Sequence, residues 1–180
     1  VWGYESELSA LIGDNDRVNL TVSGVPEKEL GTLLYAGSND YQGLPPCPPA
    51  SGISNCMNVT GNELPHAPDF ALTLMWEHDF HLGNGGTLTP RLSGHYETET
   101  WLSVFNLGEE DQQKAYGRGD FSLRYEEPEG RWWAGMYVQN FTDEKTRTAA
   151  GRFNAGGGQF LWVSQYLPPL TYGVNFGLRF

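Results

Sequence analysis

Four histidines and two carboxylate pairs are the residues of this chain whose chemistry first needs an account: His66, His78, His81 and His95, then Glu5 with Glu7 and Glu77 with Asp79. On a strand, residues three apart point to opposite faces, so His78 and His81 are poor co-ligands for a metal. The carboxylates of each pair share a face, as general acid–base chemistry requires. No nucleophile and base accompany them, and rows of acids also line polar barrel interiors. No catalytic residue, metal ligand or cofactor is therefore assigned. The run Gly156-Gly157-Gly158 lacks the strand-to-helix context and following lysine of a phosphate loop. Aromatic residues in loops, namely Trp101, Phe105, Phe160, Trp162 and Tyr166, are better placed to touch a ligand.

Cys47 and Cys56 are the only cysteines and lie in a Pro/Gly/Ser-rich segment, GLPPCPPASGISNC. In a chain with the features of an exported protein, such a pair reads as a disulfide closing a short loop, worth about 2.7 kcal/mol by chain entropy. Metal binding and free thiols are the alternatives. The first lacks a CxxC spacing or a nearby histidine cluster.

The elements that position these residues are strands. From Leu170 to Phe180, apolar residues alternate with polar or small ones without a break. Eleven residues tilted by about 45° climb roughly 26 Å, the height of an outer-membrane apolar band. The same alternation marks 2–12, 18–24, 70–80, 88–96, 115–125 and 131–140, though 131–140 is apolar on both faces. Short turns at 13–16, 82–86 and 127–130 alternate with long loops at 26–68, 99–114 and 141–169, as in barrels with short periplasmic turns and longer extracellular loops. Strands of about 9–12 residues exceed the mode of 5–6, which disfavours a soluble sandwich.

Composition agrees. Mean hydropathy is −0.45 and no apolar run reaches the roughly 18 residues of a membrane helix, which excludes a helical membrane protein but not a barrel. The net charge of −11 argues against nucleic acid as a partner. The acids Glu109, Glu110 and Asp111 read as a solvated loop surface. No signal peptide opens the chain, and Val1 begins inside a strand pattern, so a fragment is expected. Seven strands point the same way, because single-chain bacterial barrels have even counts.

Three stretches then resemble the C-terminal part of the TonB-dependent outer-membrane receptors. Gly61-Asn62-Glu63-Leu64-Pro65-His66-Ala67-Pro68 is like that family's G-N-x-L-P-x-A-P. Val138-Gln139-Asn140-Phe141-Thr142-Asp143 is similar to its v-x-N-L-T-D stretch. Pro168-Pro169-Leu170-Thr171-Tyr172-Gly173 through Phe180 is similar to its P-P-R-x-Y-G ending, with Leu170 where arginine is common. The resemblance spans residues 1–180 and implies an all-β antiparallel transmembrane barrel of about 22 strands, of which these are the last seven.

It also implies partners: outer-membrane lipid, the remaining strands, a plug domain absent from this chain, TonB acting through that plug, and a barrel assembly machinery that reads Phe180. The implied activity is energised uptake of a scarce small molecule or metal chelate such as a ferric siderophore, at the outer membrane of a Gram-negative bacterium. Glu5, Glu7, Arg91, His95, Glu97, Arg118, Asp120, Arg124 and Arg179 are expected to face the lumen. Trp2, Tyr4, Tyr96, Tyr125, Trp132 and Phe180 are expected in interfacial girdles. The competing expectation is a soluble β-sandwich or small barrel that binds carbohydrate or mediates adhesion.

Overall fold

The computed structural model describes residues 1–31, 34–48 and 56–179. Its strands are β1 (Trp2–Ile12), β2 (Asp16–Glu27), β3 (Tyr35–Ala36), β4 (Met57–Asn58), β5 (Ala71–His78), β6 (Phe80–His81) and β7 (Thr87–Glu97). They continue with β8 (Thr100–Trp101), β9 (Gln112–Gln113), β10 (Tyr116–Glu126), β11 (Trp132–Gln139), β12 (Arg147–Gly156), β13 (Gln159–Tyr166) and β14 (Thr171–Leu178). Seven form one antiparallel wall in the order β1-β2-β5-β7-β10-β11-β14, with β6 also on β7. The seven expected wall strands are all present. The wall is an open sheet, with β1 and β14 at its edges.

Register carries the alternation across the wall. Ala10, Val18, Trp76, Leu92, Phe121, Val138 and Tyr172 lie side by side in one row. The neighbouring row, on the other face, reads Leu11, Arg17, Glu77, Arg91, Ser122, Tyr137 and Gly173. Register also decides what periodicity left open in β11. Met136 pairs with Leu123 and Val174, so Trp132, Ala134, Met136 and Val138 belong to the apolar face. Gly135 pairs with Arg124 and Asn175, so Trp133, Gly135 and Tyr137 belong to the polar one.

The apolar face carries no second layer among the described residues. Leu8, Val174 and Phe176 are 57%, 85% and 62% exposed. A contiguous apolar surface of this extent marks an interaction or membrane surface rather than a soluble exterior, and a sandwich would have covered it with another sheet. Aromatic residues edge this face at both ends. Tyr125 contacts Trp132, which contacts Phe176, near the short turns. Trp2 with Tyr4, and Phe70 with Tyr96, stand at the long-loop end. Phe180, expected in a girdle and as the assembly signal, lies outside the described residues.

Proline in a central strand removes a ladder donor, and β7 holds Pro90. The wall accommodates it where its neighbour is interrupted: β5 stops at His78 and β6 resumes at Phe80. The Thr89 hydroxyl donates to Asp79 Oδ1 across that gap at 2.6 Å.

The structure corrects the long loops, which carry short pairings of their own, β3–β4 within 26–68 and β8–β9 within 99–114. The largest change is in residues 141–169, expected as a long loop, which contain the hairpin β12–β13. The glycine run is its turn, with φ of 89°, 60° and 80° at Gly156, Gly157 and Gly158. These are left-handed values that glycine adopts without steric cost. Alternation was hidden because Ala149, Ala150 and Gly151 give β12 little apolar contrast.

Candidate functional site

The polar face of the wall and the loops above it hold the candidate site. Glu5, Glu7, Arg91, His95, Glu97, Arg118, Asp120 and Arg124 all lie on that one face, as the register shows for each. Arg179 joins them from just beyond β14, its guanidinium 3.1 Å from Glu126 Oε1. Several of these charges are neutralised in place. Arg17 bridges Glu77 and Asp79, at 2.6 and 2.8 Å. Arg124 pairs with Glu126 at 2.9 Å and lies over the Trp133 ring, 4.2 Å from its centre. Glu97 accepts from the Tyr116 hydroxyl at 3.2 Å and lies 3.3 Å from His95 Nε2. Arg118 reaches the Pro168 carbonyl at 3.2 Å, and Asp120 accepts the amide of Asn140 at 2.7 Å.

At the long-loop end the three connections fold on one another. Tyr41, Leu44, Val59 and Phe105 form a buried cluster, with Trp162 of β13 against it. Tyr41 also makes a bridge with Arg152 of β12. Cys47 and Cys56 are bonded, their Cα atoms 5.2 Å apart. Beneath the cluster Asp111 is fully buried. It accepts from the Tyr41 hydroxyl at 2.8 Å, the Ser103 hydroxyl at 2.5 Å and the Leu107 amide at 3.0 Å. Burial, with the Asp111 carboxylate beside it, pushes the Tyr41 hydroxyl above the ordinary tyrosine range and keeps it a protonated donor. Asp111 is thus not part of a solvated acidic surface, as the sequence suggested. Glu109 and Glu110 are exposed, and nothing in the run sets its third member apart.

Lys28, 5% exposed, closes the base of the first loop. Its ammonium lies 2.9 Å from Asp69 and 3.3 Å from Glu63. Burial lowers its pKa, but the two carboxylates outweigh burial and hold it above the ordinary lysine value. Asn140, within the Val138–Asp143 stretch, is fully buried with φ of 52°. Its side chain takes the Glu144 amide and donates to the Glu144 carbonyl, both at 3.0 Å, which turns the chain out of β11. The signal available was its type, since asparagine tolerates left-handed backbone.

The loop aromatics separate into three environments. Phe105 is 3% exposed and belongs to the loop core, so its ring presents no surface to a ligand. Trp162 supports the core from one side, its ring 6.0 Å from that of Tyr41. Trp101 is half-buried in β8. Phe160 lies under the Arg152 guanidinium at 4.3 Å and, with Tyr166, stays exposed. Between wall and loops is a hollow of about 180 Å³ with a mixed lining, Leu102 and Leu167 beside His66, Glu97, Tyr116 and Arg147 among others. It offers a carboxylate, an imidazole and a phenol to a small polar group.

A wall with one uncovered apolar face, one charged face, short turns at one end and knitted loops at the other is part of a β-barrel. More narrowly, it has the fold of part of a TonB-dependent outer-membrane receptor barrel. It superposes over 97% of its length on the ferric yersiniabactin uptake receptor FyuA from Yersinia pestis, with a TM-score of 0.66 and 20% identity. It superposes over 97% on the siderophore receptor PiuA from Acinetobacter baumannii, with a TM-score of 0.68 and 18% identity. The chain spans about a fifth of each, 22% and 21% respectively. No protein-family model matches the sequence, and no curated protein matches it.

Proposed function

We propose that this chain is a wall-and-loop segment of an outer-membrane active-transport receptor that takes up a scarce ligand such as a ferric siderophore, energised through TonB. The observation that carries the proposal is the wall itself: an uncovered apolar face, edged by aromatics at both ends, backing onto a charged face. In hydrocarbon each unpaired backbone group costs several kcal/mol, roughly, so the open edges at β1 and β14 call for neighbouring strands. The charged face, with Arg17, Arg91, Arg118 and Arg124 among acids, then looks into the lumen, toward a plug and water. The loops form the outer rim, where Phe160, Tyr166 and the hollow beside Glu97 meet incoming ligand. Trp101 and Trp162 support that rim.

The test uses the complete receptor chain to which the segment belongs. The expected results are outer-membrane fractionation, heat-modifiable migration in detergent gels, and uptake of a ferric chelate that stops when residues 28–68 are replaced by a short linker. A folded, monodisperse protein in detergent-free buffer would refute the proposal. Uptake of a vitamin or an oligosaccharide in place of iron chelates would keep the transport class and replace the ligand.

A further inference from the structure

The outward face holds a carboxylate that transport does not explain. Asp16 stands on the apolar side of β2, opposite His78. Its Oδ1 accepts from the Trp76 indole at 2.8 Å and lies 2.8 Å from His78 Nδ1. The His78 ring packs against Trp76 on one side and, at 4.3 Å between centres, Phe80 on the other. Asp16 Oδ2 has no partner among the described residues. An ionisable group facing hydrocarbon is costly unless it meets an opposite charge at the interface.

Directly above this cluster lies a furrow of about 440 Å³, lined by Leu72, Leu74, Trp76, Leu92, Gly94 and Tyr96 among others. The furrow exists because side chains are missing on the outward face. A Cβ added at Gly94 would meet nothing nearer than a backbone oxygen at 4.0 Å, and one at Gly117 nothing nearer than 3.9 Å. Trp76 lines the furrow and donates to Asp16, so the two features meet at that residue. From Trp76 to Leu72 the furrow follows about 13 Å of wall.

We propose that the two together form a binding site for one phospholipid with a primary-ammonium headgroup. The ammonium sits on Asp16 against the faces of Trp76 and Phe80, and an acyl chain lies in the furrow. Carboxylate and ring faces both attract a cation, whereas an anionic headgroup is repelled by Asp16. The site stands at the level of the Tyr125–Trp132 belt on the short-turn side, where headgroups of that leaflet lie. The proposal rests on the reading that this face meets lipid.

The complete receptor is reconstituted in nanodiscs of equal phosphatidylethanolamine and phosphatidylglycerol, and lipid retained after release is read by native mass spectrometry. Phosphatidylethanolamine is expected to be retained about five-fold over phosphatidylglycerol. Asp16→Asn, which keeps an acceptor for Trp76, is expected to abolish that preference. Gly94→Leu, which fills the furrow without a backbone clash, is expected to lower retention of both lipids. Heat-modifiable migration confirms insertion of each variant. Equal retention of the two lipids by the unaltered chain, or an undiminished preference in Asp16→Asn, overturns the lipid site alone. Failure of the unaltered chain to insert overturns the membrane reading and this site with it.

Discussion

Replacing Asp111 by alanine tests whether the three long connections behave as one unit. The side chain is fully buried and accepts three hydrogen bonds, from Tyr41, Ser103 and Leu107. Each bond to a charged acceptor is worth about 1.5–3 kcal/mol, but the three share one carboxylate and do not add. A loss of roughly 3–5 kcal/mol is the expectation, since buried donors on two segments are left unsatisfied. The wall holds its own ladders, so this loss falls on opening of the loop layer and not on the barrel. At about 1.4 kcal/mol per factor of ten, loop amides should exchange at least 100-fold faster. The reporters are the amides of Leu107, Gln42 and Arg152, the last two tied across loops at 2.7 Å each. Hydrogen exchange on the complete, membrane-inserted chain reads them against wall amides such as those of Leu123 and Val138. Acceleration under about three-fold at Gln42 and Arg152, or equal acceleration in the wall, would refute the idea that Asp111 joins the loops.

Other outcomes follow from single contacts. Gly119→Ala drives a Cβ into the Phe141 ring and should lower the barrel's guanidinium midpoint by the equivalent of about 1–3 kcal/mol, while Gly117→Ala, facing open space, should not. Replacing Cys47 and Cys56 by serine should weaken local protection of the first loop by up to about 2.7 kcal/mol, read by proteolysis at fixed time. The raised pKa of Lys28 means that its contribution is fully present below the unfolded value near 10.5 and is lost as pH rises through the folded one. Exchange at Leu64, whose amide bonds the Lys28 carbonyl, should therefore gain a component above that pH that Lys28→Met lacks.

Much of the wall was legible because a strand's period of two is written directly into its residue types. Alternation places β1 at both ends and β7 and β10 to within one residue, whereas β2 runs past its alternating stretch at both ends, from Asp16 to Glu27. β11 was not legible in this way, since Trp132 and Trp133 are adjacent and only pairing with Leu178 and Gly177 assigns them to faces. The hairpin β12–β13 escaped because its small residues carry no contrast, although the glycine run that turns it stood in plain view. The charged residues of the polar face could be placed by parity. Their partners could not, because Arg17 with Asp79 joins residues 62 apart in sequence.

By itself, then, the sequence determined an apolar face, a face of charge, and which end of the wall carries the short turns. These are local properties, set by side-chain direction along one strand. Tertiary structure alone decided that Asp111 is buried while Glu109 and Glu110 are exposed, that Phe105 serves the loop core, and that Asp16 meets Trp76 and His78 beside an open furrow. Each of these depends on which distant segment arrives next to the residue. Register and loop packing settle that, and no period in the chain records it.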